Sequence, residues 1–255
     1  MTRLDVFLVD NHYFPTRNKA QMAITNEDVT VNGKIVTKNG FEINTADVVA
    51  VMDSLKYVSR SGLKLEQALK SFRVEVKGKV ALDIGASTGG FTDCLLQNGA
   101  AFVYALDVGR DQLAETLKKN PLVESREGTN CRYLGKTDFS EELDLIVMDV
   151  SFISCTLMFQ AISGLLSSGK EVVILIKPQF EVGPKYINKH GIVTNQHAVL
   201  ASIENCIEVA RRNNLFVQDI VVCSVKGREG NQEYLAYFIK DGKNNEIALK
   251  SRLNM

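Results

Sequence analysis

The stretch VALDIGASTGGFTDCLL, residues 80–96, runs from an apolar strand through a glycine-rich turn into a helix. Gly85, Gly89 and Gly90 allow the backbone to turn tightly and to approach a ligand. The amide groups at the start of the helix then face the crevice at the end of the strand. A strand, a glycine turn and a helix in this order indicate a doubly wound α/β sheet that binds a ligand at the turn.

The rest of the chain alternates between apolar strands and helices, which indicates a mostly parallel sheet covered by helices on both faces. The predicted strands are 80–85, 102–108, 143–149, 172–177, 218–225 and 233–239, and the predicted helices lie near 89–98, 111–119, 154–166 and 195–213. A short turn containing Gly227 and Gly230 joins the last two strands, so the final strand is predicted to run antiparallel.

Residues 1–58 differ from the rest of the chain and are predicted to form a separate, small α+β domain. Two short helical patterns precede the stretch VTVNGKIV at 29–36. In that stretch, apolar residues alternate around Asn32-Gly33, a dipeptide that favours a type I′ hairpin. Residues 59–78 are assigned to a linker and a leading helix, SGLKLEQALKSF, and residues 79–255 to the α/β domain.

The composition argues against several classes of protein. The chain has 255 residues with 30 basic and 30 acidic side chains, so its formal net charge is zero and indicates no partner. Its five cysteines show no spacing typical of a zinc site, and no metal site is predicted. The chain starts without a signal-peptide pattern, and no apolar run approaches the ~20 residues that span a bilayer. The sequence therefore predicts a cytoplasmic protein with no membrane partner.

Two carboxylates flank the glycine turn. Asp83 precedes it, and Asp107 ends the next predicted strand, 22 residues after Gly85. The spacing is G-x-x-x-G-G rather than the dinucleotide-binding G-x-G-x-x-G. Asp107 can accept hydrogen bonds from ribose hydroxyls, whereas Asp83 would repel a pyrophosphate and tolerate an ammonium or a sulfonium. The turn therefore favours a positively charged nucleoside such as S-adenosylmethionine, with an NAD site as the rival interpretation.

Four charged residues are predicted at or near the carboxyl edge of the parallel strands, where doubly wound sheets bind ligands. Asp149 and Lys177 end two strands, and Glu233 begins the antiparallel strand. Lys64 lies on the leading helix. Methyl transfer to a ribose hydroxyl requires the hydroxyl to lose its proton, and a lysine accepts it only when a nearby positive charge and desolvation favour the neutral amine. Lys177 is the candidate base or orienting group, and the carboxylates fix the geometry.

These residues resemble the Lys-Asp-Lys-Glu tetrad of the FtsJ-like ribose 2′-O-methyltransferases, and the whole chain resembles the TlyA family, often called hemolysin A. The matching motifs span nearly the full length in order. They are RLDVFL (3–8), TRNKAQMAI (16–24), VTVNGKIV (29–36), SRSGLKLEQAL (59–69), ALDIGASTGGFTDCLLQNGA (81–100), YALDVG (104–109), EGTNCR (127–132), DLIVMDVSFIS (144–154), LIKPQFEVG (175–183) and GNQEYL (230–235). KPQFE together with SRSGLKL is highly specific.

The resemblance implies a Rossmann-like, doubly wound, S-adenosylmethionine-dependent methyltransferase domain preceded by an S4 RNA-binding domain. It also implies that the substrates are cytidine 2′-hydroxyls of ribosomal RNA. By motif, the tetrad is Lys64, Asp149, Lys177 and Glu233. The implied cofactor pocket comprises Asp83, Gly85, Ser87, Gly89, Gly90 and Asp107, with Thr129 and Asn130 beside the adenine. The implied RNA contacts are Arg3, Arg17, Lys19, Lys34 and Arg60.

Two further hypotheses are compatible with the sequence. The older family name suggests a membrane-active hemolysin, although the chain has no conspicuous basic amphipathic helix. A non-catalytic S4-type RNA-binding factor would not need Lys177. The loop 178–195, which carries Lys185, Lys189 and His190, is interpreted either as a segment that closes over RNA or as a disordered surface loop.

Overall fold

The structure, a computed structural model, describes residues 1–25, 28–51, 56–227 and 230–253. The chain divides into two compact units, residues 1–60 and residues 61–255. The first unit contains β1 (Thr2–Arg3), α1 (Leu4–Asp10), α2 (Arg17–Thr25), β2 (Val29–Val31), β3 (Lys34–Ile35), β4 (Glu42–Ile43) and β5 (Val49–Val51).

The first unit is built around the β2–β3 hairpin. Asn32 and Gly33 both have positive φ angles, +52° and +74°, which is the type I′ geometry that the sequence predicts. Strand β2 pairs antiparallel with β3 on one side and with β5 on the other, and β1 pairs antiparallel with β4. The apolar faces of the two helices and of β2 share one core, whose buried members are Leu4, Leu8, Ala20, Ala23, Ile24, Val29, Val31, Val36 and Ile43.

The second unit is a seven-stranded sheet with helices on its faces. Its strands are β6 (Val80–Ile84), β7 (Phe102–Asp107), β8 (Val123–Glu127), β9 (Leu145–Met148), β10 (Glu171–Ile176), β11 (Leu215–Val222) and β12 (Tyr234–Lys240). Its α-helices are α3 (Ser61–Phe72), α4 (Gly90–Gln97), α5 (Glu115–Lys118), α6 (Phe159–Leu165), α7 (Gln196–Arg212) and α8 (Leu249–Arg252). Short 3₁₀ helices cover Cys131–Tyr133, Lys136–Asp138, Cys155–Met158, Pro178–Phe180 and Pro184–Tyr186.

The strand order is β11-β12-β10-β9-β6-β7-β8. The five strands from β10 to β8 are mutually parallel, and β12 is antiparallel to both of its neighbours. Leu82 and Ile84 of β6 join a core with α6 and α7, while Asp83, which points to the opposite face, bonds to α4. Because both faces are covered, the central strands are continuous apolar runs. The predicted doubly wound fold and the antiparallel last strand are confirmed.

Four elements differ from the sequence prediction. Strand β8 was not predicted because VESRE is polar, and it forms an edge strand with β7 as its one neighbour. Helix α5 is shorter than the predicted 111–119 because the Glu127 carboxylate accepts hydrogen bonds from the amides of residues 111–113 and holds them as a loop. The helix predicted at 154–166 begins as the 3₁₀ turn Cys155–Met158. Strand β11 begins at Leu215 rather than at residue 218.

One buried carboxylate organises the start of the first unit. Asp5 is fully buried and accepts hydrogen bonds from Arg3 Nε at 3.0 Å, Arg17 Nε at 2.9 Å and Gln21 Nε2 at 2.6 Å. The hydrogen bond from Arg3 lowers the pKa of Asp5 well below its usual range, although burial opposes this shift. Because the pKa is depressed in the folded state, the stabilisation is present above the pKa of an unfolded aspartate, about 3.9, and is lost as pH falls below it.

Asp5→Asn is expected to destabilise the first unit by about 1–3 kcal/mol, since a charge-assisted network is replaced by neutral hydrogen bonds. Hydrogen exchange of peptides within residues 1–25 at pH 7 would rise accordingly, and the difference from wild type would shrink below pH 4. Asp10→Asn, at the exposed end of α1, is the matched control and should exchange like wild type. Equal protection of Asp5→Asn and wild type at pH 7 would contradict this role for Asp5.

Candidate active site

The glycine turn after β6 lies against the loop that follows β9. Gly85, Ser87 and Gly89 have φ angles of +85°, +48° and +97°, so three residues of the turn adopt left-handed conformations. A Cβ atom at Gly85 would lie 2.7 Å from the main-chain oxygen of Asp149. A side chain at this position would therefore displace the segment that carries Asp149, which gives Gly85 a second role beyond backbone freedom.

Asp107, at the end of β7, fixes the turn from the other side. Its Oδ2 accepts a hydrogen bond from the Ser87 amide at 2.8 Å, and its Oδ1 accepts one from the Gly109 amide at 2.7 Å. Each carboxylate oxygen has further lone-pair capacity, so Asp107 can still accept hydrogen bonds from a ribose. The main-chain oxygen of Asp107 accepts from the Thr129 amide at 2.9 Å, and Asn130 Oδ1 accepts from the Arg132 amide at 3.1 Å.

Asp83 is a buried carboxylate with an unused oxygen. Its Oδ2 accepts a hydrogen bond from Thr92 Oγ1 at 2.7 Å, whereas its Oδ1 has no hydrogen-bond partner among the described residues. Burial raises the pKa of Asp83 to about 7, and the charges of Asp149 and Asp107 add to this shift, while Thr92 opposes it. A buried acceptor without a donor is costly, and a cationic ligand would satisfy both the hydrogen bond and the charge.

The pocket fits S-adenosylmethionine on these observations. The unpartnered Asp83 oxygen suits a donor with positive charge, and the strained turn leaves the close approach that a cofactor needs. Asp107 offers two carboxylate oxygens, and each has lone-pair capacity left for a ribose hydroxyl. Gly90 begins α4, an eight-residue helix whose first amides lie beside the turn.

The four charged residues predicted at the carboxyl edge form two buried ion pairs. Lys64 Nζ lies 2.6 Å from Glu233 Oε2, and Lys177 Nζ lies 2.6 Å from Asp149 Oδ1. The lysines are 9% and 8% exposed and Glu233 is 2% exposed, so little solvent screens these charges. The sheet explains this arrangement. Ile176 pairs with Tyr234 in register, and the two strands are antiparallel. Lys177, which follows Ile176, and Glu233, which precedes Tyr234, therefore lie at the same edge.

The two pairs interact with each other. Burial alone would lower the pKa of Lys64, but the carboxylates of Asp149 and Glu233 overcome this effect and raise it. Burial would raise the pKa of Asp149, but Lys177 and Lys64 together lower it. Asp149 is therefore an ionised carboxylate, which Lys177 contacts and which the charge of Lys64 also stabilises. Lys64 is in turn held as a cation.

A comparison with protein families identifies the larger part of the chain. Residues 57–240 match the family model described as FtsJ-like methyltransferase, and residues 2–49 match the S4 domain. The chain belongs to the FtsJ-like methyltransferase family. Both ion pairs, and every residue predicted for the cofactor pocket, lie within the matched range 57–240.

Individual relatives of this FtsJ-like chain support the resemblance to the TlyA family. A protein named 23S rRNA (cytidine-2′-O)-methyltransferase TlyA from Campylobacter jejuni is 36% identical and covers 92% of this chain and 98% of its own length. Hemolysin A from Brachyspira hyodysenteriae is 42% identical, covering 93% of this chain and 99% of its own length. A solved structure from Streptococcus thermophilus, named as a hemolysin, has a TM-score of 0.78 at 37% identity and covers 98% of this chain and 92% of that one.

More distant structures confirm the fold alone. An S-adenosylmethionine-dependent methyltransferase from Listeria monocytogenes is 13% identical, with a TM-score of 0.55, and covers 71% of this chain and 99% of that chain. None of the described helices of this FtsJ-like chain is long and apolar enough to cross a membrane.

Sequence reasoning missed several features of this edge of the sheet. Ser151 accepts a hydrogen bond from Lys177 Nζ at 2.8 Å, and nothing in the sequence marks a serine in a loop as its partner. The next residue, Phe152, has a φ angle of +64° and is 87% exposed, with its ring 5.4 Å from that of Phe180. An exposed phenylalanine in a left-handed conformation is unusual, and its position three residues after Asp149, the partner of Lys177, was not expected.

The loop 178–195 is ordered rather than featureless. It contains the 3₁₀ turns Pro178–Phe180 and Pro184–Tyr186, and Ile187 forms an antiparallel bridge with Val193. The buried Asn231 anchors it, because its Oδ1 accepts from the Val193 amide and its Nδ2 donates to the Gly191 carbonyl. The loop therefore has local structure and side-chain anchors, while its contact with RNA stays a prediction.

The residues predicted to contact RNA differ in their surroundings. Arg3 and Arg17 are both bonded to Asp5, which neutralises part of their charge, although their side chains stay 48% and 52% exposed. Lys34 is exposed in the β2–β3 hairpin, whereas Lys19 and Arg60 are partly buried. Their contact with RNA stays a prediction.

One group of side chains in the described part of the chain has the spacing of metal ligands: Cys155, Glu181 and Cys206. The Sγ atoms lie 3.6 Å apart, and Glu181 already accepts hydrogen bonds from the Cys155 amide and from Ser154 Oγ. The hydrogen bond with Cys206, together with burial, raises the pKa of Cys155 well above its ordinary value. The Cys155 thiol is thus protonated, and both cysteines contribute to the core of the second unit.

Asp83→Asn is expected to make the cofactor-free protein less sensitive to pH. Because the folded-state pKa of Asp83, about 7, lies above that of an unfolded aspartate, its ionisation weakens the fold as pH rises from about 4 to about 7. Asparagine does not ionise, so the melting temperature of the variant minus that of wild type should be larger at pH 8 than at pH 5. Asp111→Asn, at an exposed position, is the control. A difference that stays constant between the two pH values would contradict the buried, shifted carboxyl.

Proposed function

We propose that this protein transfers a methyl group from S-adenosylmethionine to the 2′-hydroxyl of a cytidine in ribosomal RNA. The observation that supports this most strongly is the pair of buried lysine–carboxylate ion pairs beside the glycine turn. The family membership and the relatives named as rRNA (cytidine-2′-O)-methyltransferases agree with it. A ribosomal substrate also implies that the protein works in the cytoplasm.

The two lysines have different roles in this proposal. Lys64 stays an ammonium because two carboxylates raise its pKa, so it cannot accept a proton near neutral pH. Lys177 is the group that takes the proton from the 2′-hydroxyl. Asp149 holds Lys177 in place, and Glu233 holds Lys64.

The cofactor residues are those of the glycine turn. Asp83 would hold a positively charged part of S-adenosylmethionine, and Asp107 would accept its ribose hydroxyls. The cofactor would supply an electrophilic methyl group on a sulfonium. Thr129 and Asn130, which follow β8, would lie beside the adenine.

The RNA would contact both units of the chain. The S4 domain supplies Arg3, Arg17, Lys19 and Lys34, whose positive charges suit a phosphate backbone. We include Arg60 in the same proposed set of phosphate contacts. In the methyltransferase domain, the exposed ring of Phe152, three residues after Asp149, is a surface on which an unstacked base can lie.

The function is tested with tritium-labelled S-adenosylmethionine and ribosomal subunits from cells that lack the gene. Wild type is expected to place label in 2′-O-methylcytidine after complete digestion of the RNA. Lys177→Ala should lose at least about a hundredfold in rate because the proton acceptor is gone, while it still binds the cofactor. Lys170→Ala is the matched control, since Lys170 pairs with Asp144 at the opposite edge of the sheet.

Two outcomes would contradict the proposal. Wild type that leaves both subunits unlabelled would exclude the activity on ribosomal particles. Lys177→Ala with wild-type function in cells, together with unlabelled RNA, would instead support the non-catalytic RNA-binding hypothesis.

A further inference from the structure

The amino group of Lys177 is held by two acceptors from one short segment. Its Nζ lies 2.6 Å from Asp149 Oδ1 and donates a hydrogen bond to Ser151 Oγ at 2.8 Å. Both acceptors belong to residues 149–151, which directly follow β9. Lys177 is 8% exposed, so solvent offers little competition for these bonds.

The segment that carries the two acceptors is fixed at both ends. The Asp149 amide donates to the carbonyl of Ile84 at 3.1 Å, and Gly85 packs against the Asp149 main chain. At the other end, the Cys155 amide donates to Glu181 Oε1 at 2.8 Å. Glu181 lies four residues after Lys177, so the strand end that carries the lysine and the segment that carries its acceptors are tied together.

The hydrogen bond to Ser151 decides how the lysine amine is oriented. An ammonium has three N–H groups and no lone pair. Ser151 accepts a hydrogen bond from one of them, whereas Asp149 Oδ1 lies 2.6 Å from Nζ as an ion-pair partner without hydrogen-bond geometry. If the N–H that faces neither side chain loses its proton while the bond to Ser151 persists, the lone pair points where that hydrogen was. The Ser151 hydrogen bond therefore determines the direction of the lone pair.

We propose that Ser151 is a positioning residue for the methyl transfer, which aims the lone pair of Lys177 at the substrate hydroxyl. This inference rests on the proposed function. The ion pair with Asp149 fixes where the nitrogen lies but leaves the ammonium free to rotate about its Cε–Nζ bond, whereas the hydrogen bond to Ser151 removes that freedom. A serine suits this role because its hydroxyl is a neutral acceptor, so it orients the amine without the second negative charge that would hold it as an ammonium.

This role gives Ser151→Ala two separate effects. The maximal rate falls, because the lone pair is no longer aimed at the hydroxyl. The pH of half-maximal rate moves to a lower value, because the ammonium form has lost a hydrogen bond that stabilised it. A variant that only loosened the fold would lower the rate without this shift.

The experiment measures the single-turnover rate of methyl transfer against pH for wild type, Ser151→Ala and Ser151→Thr, with cofactor and RNA saturating. Ser151→Ala is expected to lose about tenfold to a hundredfold in maximal rate, which is the scale of misplaced catalytic groups. Its affinities for cofactor and RNA should stay near those of wild type. Ser151→Thr keeps the acceptor, and because the position is exposed the added methyl has room, so it should recover most of the rate.

Ser202→Ala is the matched control, since this buried serine on α7 donates to the Val199 carbonyl within its own helix. The inference is overturned if Ser151→Ala matches wild type in rate and midpoint while Lys177→Ala is inactive, a result that leaves the proposed function intact. It is also overturned if Ser151→Thr is as slow as Ser151→Ala. No transfer by wild type overturns the proposed function and this inference together.

Discussion

The pairing of Lys64 with Glu233 and of Lys177 with Asp149 is the interaction on which the rest of the site depends. Removing an ammonium from water costs several kcal/mol, and the cost is recovered only with a well-placed carboxylate. The four residues come from α3, the ends of β9 and β10, and the start of β12. The pairs therefore form only when helix, parallel strands and antiparallel strand are assembled in this order.

The same edge of the sheet holds a third carboxylate in a different state. Asp149 is ionised because two lysines face it, whereas Asp83 has no basic partner among the described residues and its pKa lies near 7. The two groups are neighbours, and the charge of Asp149 adds to the shift of Asp83. This difference separates the functions of the two aspartates, one organising the lysines and the other suited to a cationic cofactor.

The sequence predicts the edge of the sheet better than the contacts at that edge. Two patterns are enough to bring Lys177 and Glu233 to the same edge of the sheet. One is an apolar run that ends in Lys177, and the other is a strand that begins after Glu233 and runs in the opposite direction. Which lysine pairs with which carboxylate depends on distances of a few ångströms, and a linear pattern does not contain them. No sequence pattern identifies Ser151, because a serine in a loop is marked by neither periodicity nor charge. Strand β8 escaped prediction because an edge strand exposed to water needs few apolar residues.

The two buried ion pairs are the central claim, and single-turnover methyl transfer in Lys64→Met tests it most directly. Cofactor binding by the variant would first establish that the pocket is intact. Without Lys64, the buried carboxylate of Glu233 loses its ion-pair partner and Asp149 loses one of the two cations that lower its pKa. We therefore predict that the rate falls by at least about tenfold, because the site loses the geometry that the pairs maintain. A rate equal to that of wild type would contradict the claim.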